Sequence, residues 1–159
     1  VAVTTLVAPI TDSLENKNGF SRTDVRKLSQ TLCFGGGAVA LSTVGFIVSK
    51  TPAAAVTNTT IAMVMSALAF CFGMGAWVRT GLFCGHQDLS PKYASIMLGV
   101  TNTAAAIGSL LSTFFIGYFM EVTNGSWAWS LFYPIAILQV ASALIFSALW
   151  KSTPIDFDA

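Results

Sequence analysis

Four apolar stretches, each long enough to cross a lipid bilayer, follow one another with only short polar hinges between them: residues 28–48, 56–84, 93–120 and 127–150. A helix rises about 1.5 Å per residue, so roughly 20 apolar residues cross the hydrocarbon. No other feature limits the fold so sharply. Only 9% of the residues are charged, and the mean hydropathy is +0.71. A soluble domain carries about 25% charged residues, so this chain lacks the polar groups to cover its apolar surface in water. Open sheet edges are excluded in lipid, and no period-2 barrel pattern appears. The expectation is an all-α integral membrane bundle of four transmembrane helices. Residues 1–10 begin without Met or a basic signal-peptide start and are too short to span, so they read as the end of a fifth, truncated helix.

The hinges divide the rest. Residues 11–27 read as a cytoplasmic loop in which Ser21 or Thr23 could cap a short helix, 28–150 as the bundle, and 151–159 as a loose, acidic cytoplasmic tail. Thr51-Pro52 stops the first span, and Asn124-Gly125 signals a turn after the third. Between the second and third spans, residues 85–93 read G-H-Q-D-L-S-P-K-Y, a polar hinge at a membrane face. Ser90 suits an N-cap and Pro91 the first helical position, so the third helix is expected to start there. Short loops make sequential helices antiparallel neighbours.

Basic residues set the orientation. Lys17, Arg22, Arg26, Lys27, Lys92 and Lys151 fall on one side, and Lys50 alone on the other. The richer side, with the 85–92 hinge and both termini, is expected to be cytoplasmic or its organelle equivalent. Trp127, Trp129 and Trp150 bracket the fourth span as an aromatic belt would.

Several functions are disfavoured. The net charge is +1 and no basic cluster is present, so nucleic acid is not an expected partner. Cys33, Cys71 and Cys84 form no CxxC and read as small buried hydrophobes, not as a disulfide framework or zinc site. No cofactor or metal is expected, and no paired catalytic groups point to an enzyme. His86 and Asp88 lie two apart in the hinge, where loop-to-helix hydrogen bonding is the expected role.

Polar and small residues inside the spans carry the remaining information. Thr101, Ala105, Ser109, Thr113 and Gly117 recur every four residues along one ridge of the third span. Gly35 and Gly37 in the first span, and Gly99 in the third, add to the small-residue surface. Such residues let helix backbones approach closely in lipid; they serve tight packing, or a sliding or cavity-lining surface in a protein that changes shape. Asn102 needs a partner in lipid, either another helix or a substrate. Arg79 either snorkels to the interface, pairs with Asp88 or Asp12, or borders an anion path. Glu121 reads as a solvated interfacial carboxylate, with proton coupling as the alternative.

The stretch from Gly85 to Ala104, G-H-Q-D-L-S-P-K-Y-A-S-I-M-L-G-V-T-N-T-A, resembles the anion:cation symporter family of the major facilitator superfamily. That family includes vesicular glutamate carriers, sialin-like carriers, and plant and algal phosphate or anion transporters. Its pattern N-H-x-D-I-A-P-x-Y-A-x-x-x-x-G-I-S-N-T is matched at His86, Asp88, Pro91, Tyr93, Ala94, Gly99, Asn102 and Thr103, while Gly85 replaces the usual Asn. Upstream, V-R-K-L-S-Q from Val25 to Gln30, then Gly35, resembles the start of the family's ninth helix; Ala8 and Asp12 resemble a degraded G-x-x-x-D. The resemblance implies the last helices of such a transporter, nine to twelve, with a midplane site between its two halves.

Two functions follow as expectations. The first is the C-terminal part of a secondary active transporter for organic or inorganic anions, coupled to H⁺ or Na⁺ and working by alternating access. Its partners would be the lipid bilayer, the remaining transporter helices and a small anion, with Asn102 and Arg79 in the substrate pathway. The alternative is a transporter-derived accessory subunit among neighbouring membrane subunits of an organellar or photosynthetic complex. The host membrane could be plasma, vesicular or plastid.

Overall fold

Each apolar stretch becomes a helix, and the first three run beyond the ends of the stretches that predict them. A computed structural model describes residues 2–17 and 19–155, and among these there is no strand. Helix α1, Ala2–Lys17, contains Pro9, and the Thr11 hydroxyl donates back to the carbonyls of Val7 and Ala8. Residues 11–17 are therefore helical, where the sequence reading put a loop. No Gly or Pro interrupts them, and the first breaker is Gly19, at φ +68°.

Helix α2, Arg22–Lys50, starts at Ser21, whose Oγ accepts the N–H of Asp24 at 3.2 Å and whose hydroxyl donates to the Asp24 carboxylate at 2.6 Å. This N-cap satisfies one of the donors that every helix start leaves open. The cap sits well before the apolar stretch, so Arg26 and Lys27 ride on a regular helix. The helix ends where Pro52 holds Thr51 extended.

The second span runs past its expected end. Thr57 caps α3, Asn58–Met74, by accepting from Thr60 N–H. A 3₁₀ turn (Gly75–Trp77) and a π-helical turn (Arg79–Phe83) lead into α4, Cys84–Leu89. His86 and Asp88 thus belong to a helix, not to a loop. Ser90 closes α4, with its N–H on the His86 carbonyl at 3.2 Å and its backbone extended as Pro91 requires. Ser90 is therefore a C-cap instead of the expected N-cap. Helix α5, Ala94–Val122, begins at Tyr93 without a side-chain cap.

After α5 the chain reverses at Asn124 (φ 53°) and Gly125 (φ 80°), and the Gly125 N–H returns to the Met120 carbonyl at 2.8 Å. This left-handed closure is the usual helix C-terminal one, and glycine adopts it without strain. A second π-helical turn, Ala128–Phe132, opens into α6, Tyr133–Leu149.

Helix α2 is central, packed between α3 and α6. Its glycines are notches. A Cβ on Gly36 would meet Met74 of α3, one on Gly37 would meet Gln139 of α6, and one on Gly45 would meet Tyr133. Lipid supplies no hydrophobic drive between helices, so such close approaches carry the association. Four helices, Arg22–Lys50, Asn58–Leu89, Ala94–Val122 and Ala128–Leu149, are long and apolar enough to cross a membrane.

Candidate functional site: a polar clasp and two side chains within the spans

One end of the bundle gathers most of the polar bonds that join separate elements. Arg26, one turn into α2, donates from Nε to Asp88 Oδ2 at 2.7 Å and from Nη2 to Oδ1 at 3.3 Å. Both side chains are 11% exposed. Such fork-on-carboxylate pairing combines charge with fixed geometry. It ties the start of α2 to α4, and Asp88 has its basic partner there.

Beside it, His86 is 6% exposed and its Nε2 lies 3.2 Å from the Thr101 hydroxyl of α5. That hydroxyl sits 3.0 Å from the Met97 carbonyl and 3.1 Å from that of Leu98, to which it donates. With its one hydrogen so used, the Thr101 oxygen accepts from His86 Nε2–H. His86 Nδ1 is buried without a partner. The sequence reading gave Thr101 to helix packing; the structure gives it this polar contact. Pro91 and Tyr93 form the turn between α4 and α5, with the Lys92 ammonium 5.1 Å from the Tyr93 ring centroid.

The chain's last turn closes the clasp. Trp150 stacks on Phe146, and its indole N–H donates to Ser152 Oγ at 3.0 Å. Ser152 N–H donates to Thr23 Oγ1 at 3.1 Å, and Ile155 N–H to the Leu89 carbonyl at 2.8 Å. The indole lies where a Cβ on Gly85 would be, 2.5 Å from its Cζ2. Gln30 fills the corresponding space beside Gly81. The tail is therefore held from 151 to 155 where the sequence reading had it loose; residues 156–159 lie outside the described residues. No motif announced these contacts. The signal available was a glycine on each turn of 81–85, opposite a late tryptophan.

The two span residues assigned to a substrate pathway stand apart from the clasp. Arg79 opens the π-helical turn, is exposed, and pairs with neither Asp88, which Arg26 holds, nor Asp12. Asn102 is exposed on α5 and bonds to no other described helix. The rest of the α5 ridge, Ala105, Ser109, Thr113 and Gly117, is exposed as well, and Gly99, Gly117 and Gly35 have open space where a Cβ would stand. Of the small residues expected to pack helices, Gly37 is buried against Gln139, whereas on the α5 ridge Thr101 meets His86 of α4 and the residues beyond it are exposed. The described residues contain no group of three or more His, Cys, Asp or Glu that could hold a metal.

This is a multi-pass α-helical membrane protein with a tied end and polar groups left open along its spans. Its homologues are chloroplastic anion transporters. The chain is 32% identical over 157 residues to "Probable anion transporter 6, chloroplastic" of Arabidopsis thaliana, covering 99% of this chain and 28% of that protein. It is 32% identical over 155 residues to "Probable anion transporter 5, chloroplastic" of Oryza sativa subsp. japonica, covering 98% and 31%. It is 36% identical over 142 residues to "Ascorbate transporter, chloroplastic" of Arabidopsis thaliana, covering 89% and 23%. The chain thus spans about a quarter to a third of the length of these curated relatives. No family model matches it.

Proposed function

We propose that this chain forms part of a secondary active anion transporter of a plastid membrane, resembling the anion:cation symporters of the major facilitator superfamily. The observation that carries this reading is the alignment of nearly the whole chain with proteins named as chloroplastic anion transporters. The open guanidinium of Arg79 supports it. An ionisable group in a transmembrane segment is costly unless it faces a partner, a cavity or the interface, and Arg79 has no carboxylate among the described residues. An anion in transit is the partner that suits it, with Asn102 as a second polar contact along the path.

On this reading the small-residue ridge of α5 faces helices of the transporter's other half, and two halves rock about a midplane site. The clasp end, rich in Lys and Arg, faces the organelle equivalent of the cytoplasm, and the clasp keeps α2, α4 and α5 moving as one body. The substrate is a small oxyanion or organic anion, driven by a proton or sodium gradient. A named relative that transports ascorbate, and another described as a sodium-dependent phosphate transport protein, set the first substrates to try.

The test is uptake of labelled phosphate and ascorbate by the full-length protein in liposomes, under an imposed sodium gradient or pH gradient. Gradient-driven accumulation of one of them is expected. Absence of uptake of both anions, under either gradient, from correctly oriented and folded protein would sink the proposal.

A further inference from the structure

The end opposite the clasp holds a cavity of about 610 Å³ between the end of α2, the start of α3 and the turn into the fourth span. Its lining is graded. Lys50, Thr51 and Ser126 stand at the membrane face, where α2 and α5 end. Val56, Val64 and Met65 lie along its wall. Val64 is six residues into α3 from Asn58, about 9 Å deeper at 1.5 Å per residue. Trp127 flanks the mouth at the depth where amphipathic aromatic rings settle.

This end carries two charged residues among those described, Lys50, which lines the cavity, and Glu121 near the end of α5, which does not. Among the described residues Lys50 is the one Lys or Arg here, it is exposed, and it makes no ion pair. The other basic residues outside the spans lie at the clasp end. A cation and the hydroxyls of Ser49, Thr51, Thr60 and Ser126 toward the interface, above an apolar shaft that runs into the hydrocarbon, match one occupant in order and in sign. That occupant has a phosphate at its head and a hydrocarbon chain below.

We infer that this cavity is a binding site for an anionic phospholipid, with its phosphate on Lys50 and the hydroxyls of Thr51 and Ser126, and an acyl chain along Val56, Val64 and Met65. A free anion would find no use for the apolar wall, and an uncharged lipid none for the lysine. The site lies at the far end from the clasp and does not depend on the chain being a transporter.

The experiment is native mass spectrometry of the full-length protein, stripped of lipid in detergent and then given phosphatidylglycerol or phosphatidylcholine of equal chain length. The wild type should retain phosphatidylglycerol preferentially. Lys50→Gln, a change at an exposed helix end, should lower that retention about ten-fold, the worth of one hydrogen bond to a charged group, and leave phosphatidylcholine unaffected. Val64→Phe, which narrows the shaft without touching the charge, should weaken retention of phosphatidylglycerol as well. Equal retention of the two lipids by the wild type, or undiminished phosphatidylglycerol on Lys50→Gln, overturns the assignment. So does a wild type that holds neither lipid, the result expected if another helix of the full-length protein fills the cavity.

Discussion

Arg26 grips both carboxylate oxygens of Asp88 across 62 residues of sequence, and both side chains are nearly withdrawn from solvent. Removing one partner of a buried pair leaves the other uncompensated, at a cost of about 3–5 kcal/mol. Arg26→Ala and Asp88→Ala should each destabilise the protein by that order. The double variant should cost well under their sum. Denaturant unfolding in micelles gives all three values, and strict additivity would show that the two groups act independently.

The glycines divide into two kinds. A methyl group at Gly85 would lie 2.5 Å from the Trp150 ring, whereas one at Gly99 would enter open space. Gly85→Ala should therefore destabilise by about 1–3 kcal/mol as the indole is displaced. Gly99→Ala should leave stability unchanged or raise it by up to about 1 kcal/mol, the helix preference of alanine over glycine. Thermal midpoints in detergent separate the two.

His86 is the single histidine of this chain, so its ring nitrogens can be observed without ambiguity in this segment. Donation to Thr101 requires the Nε2–H tautomer. Nitrogen-15 NMR of histidine-labelled protein should show it in the wild type. Thr101→Val keeps the shape and removes the acceptor; it should shift the Nε2 resonance and cost about 1–3 kcal/mol for the orphaned group. An Nδ1–H tautomer in the wild type would contradict the bond as drawn.

Arg79 makes a separate prediction for transport. Arg79→Gln should reduce anion uptake about ten-fold, while Arg79→Lys, which keeps the charge, should retain more of it. A loss confined to the apparent substrate affinity would place the guanidinium in binding. Equal uptake by Arg79→Gln and wild type would return Arg79 to a snorkelling role at the interface.

Much of this architecture was readable from the chain because lipid leaves so few solutions. Apolar length alone located all four spans, and Thr51-Pro52 and Asn124-Gly125 marked two of the three reversals. The third was misread. Ser90-Pro91 looks like a helix start, but the same proline restriction that favours N1 also holds Ser90 extended and ends α4. The polar composition of residues 84–89 then hid a helix whose bonds are made with Arg26, Thr101 and Ile155, all distant in sequence. The α5 ridge is visible in its spacing, yet spacing names no partner: Thr101 meets His86, and from Ala105 to Gly117 the ridge is exposed. Arg26 reads from the sequence as a charge on the basic side and as part of the V-R-K-L-S-Q stretch, and nothing local points it at Asp88.

The π-helical turns set a rule for reading the chain's helical wheels. At Arg79–Phe83 the Cys84 N–H reaches the Arg79 carbonyl, and at Ala128–Phe132 the Tyr133 N–H reaches that of Ala128, each one residue beyond the α-helical reach. In an unbroken α-helix one inserted residue would advance everything after it by about 100°. A wheel drawn unbroken at about 100° per residue from Asn58 to Leu89 passes over both the π turn of Arg79–Phe83 and the tighter 3₁₀ turn of Gly75–Trp77, which shift the phase in opposite senses. The π turn takes up one extra residue, so deleting one residue of 79–83 would restore a plain α-helix there and leave Gly85, His86 and Asp88 on the side that meets Trp150, Thr101 and Arg26. Those three contacts thus share one geometric condition: the 3₁₀ turn and the π turn together set the face that α4 presents.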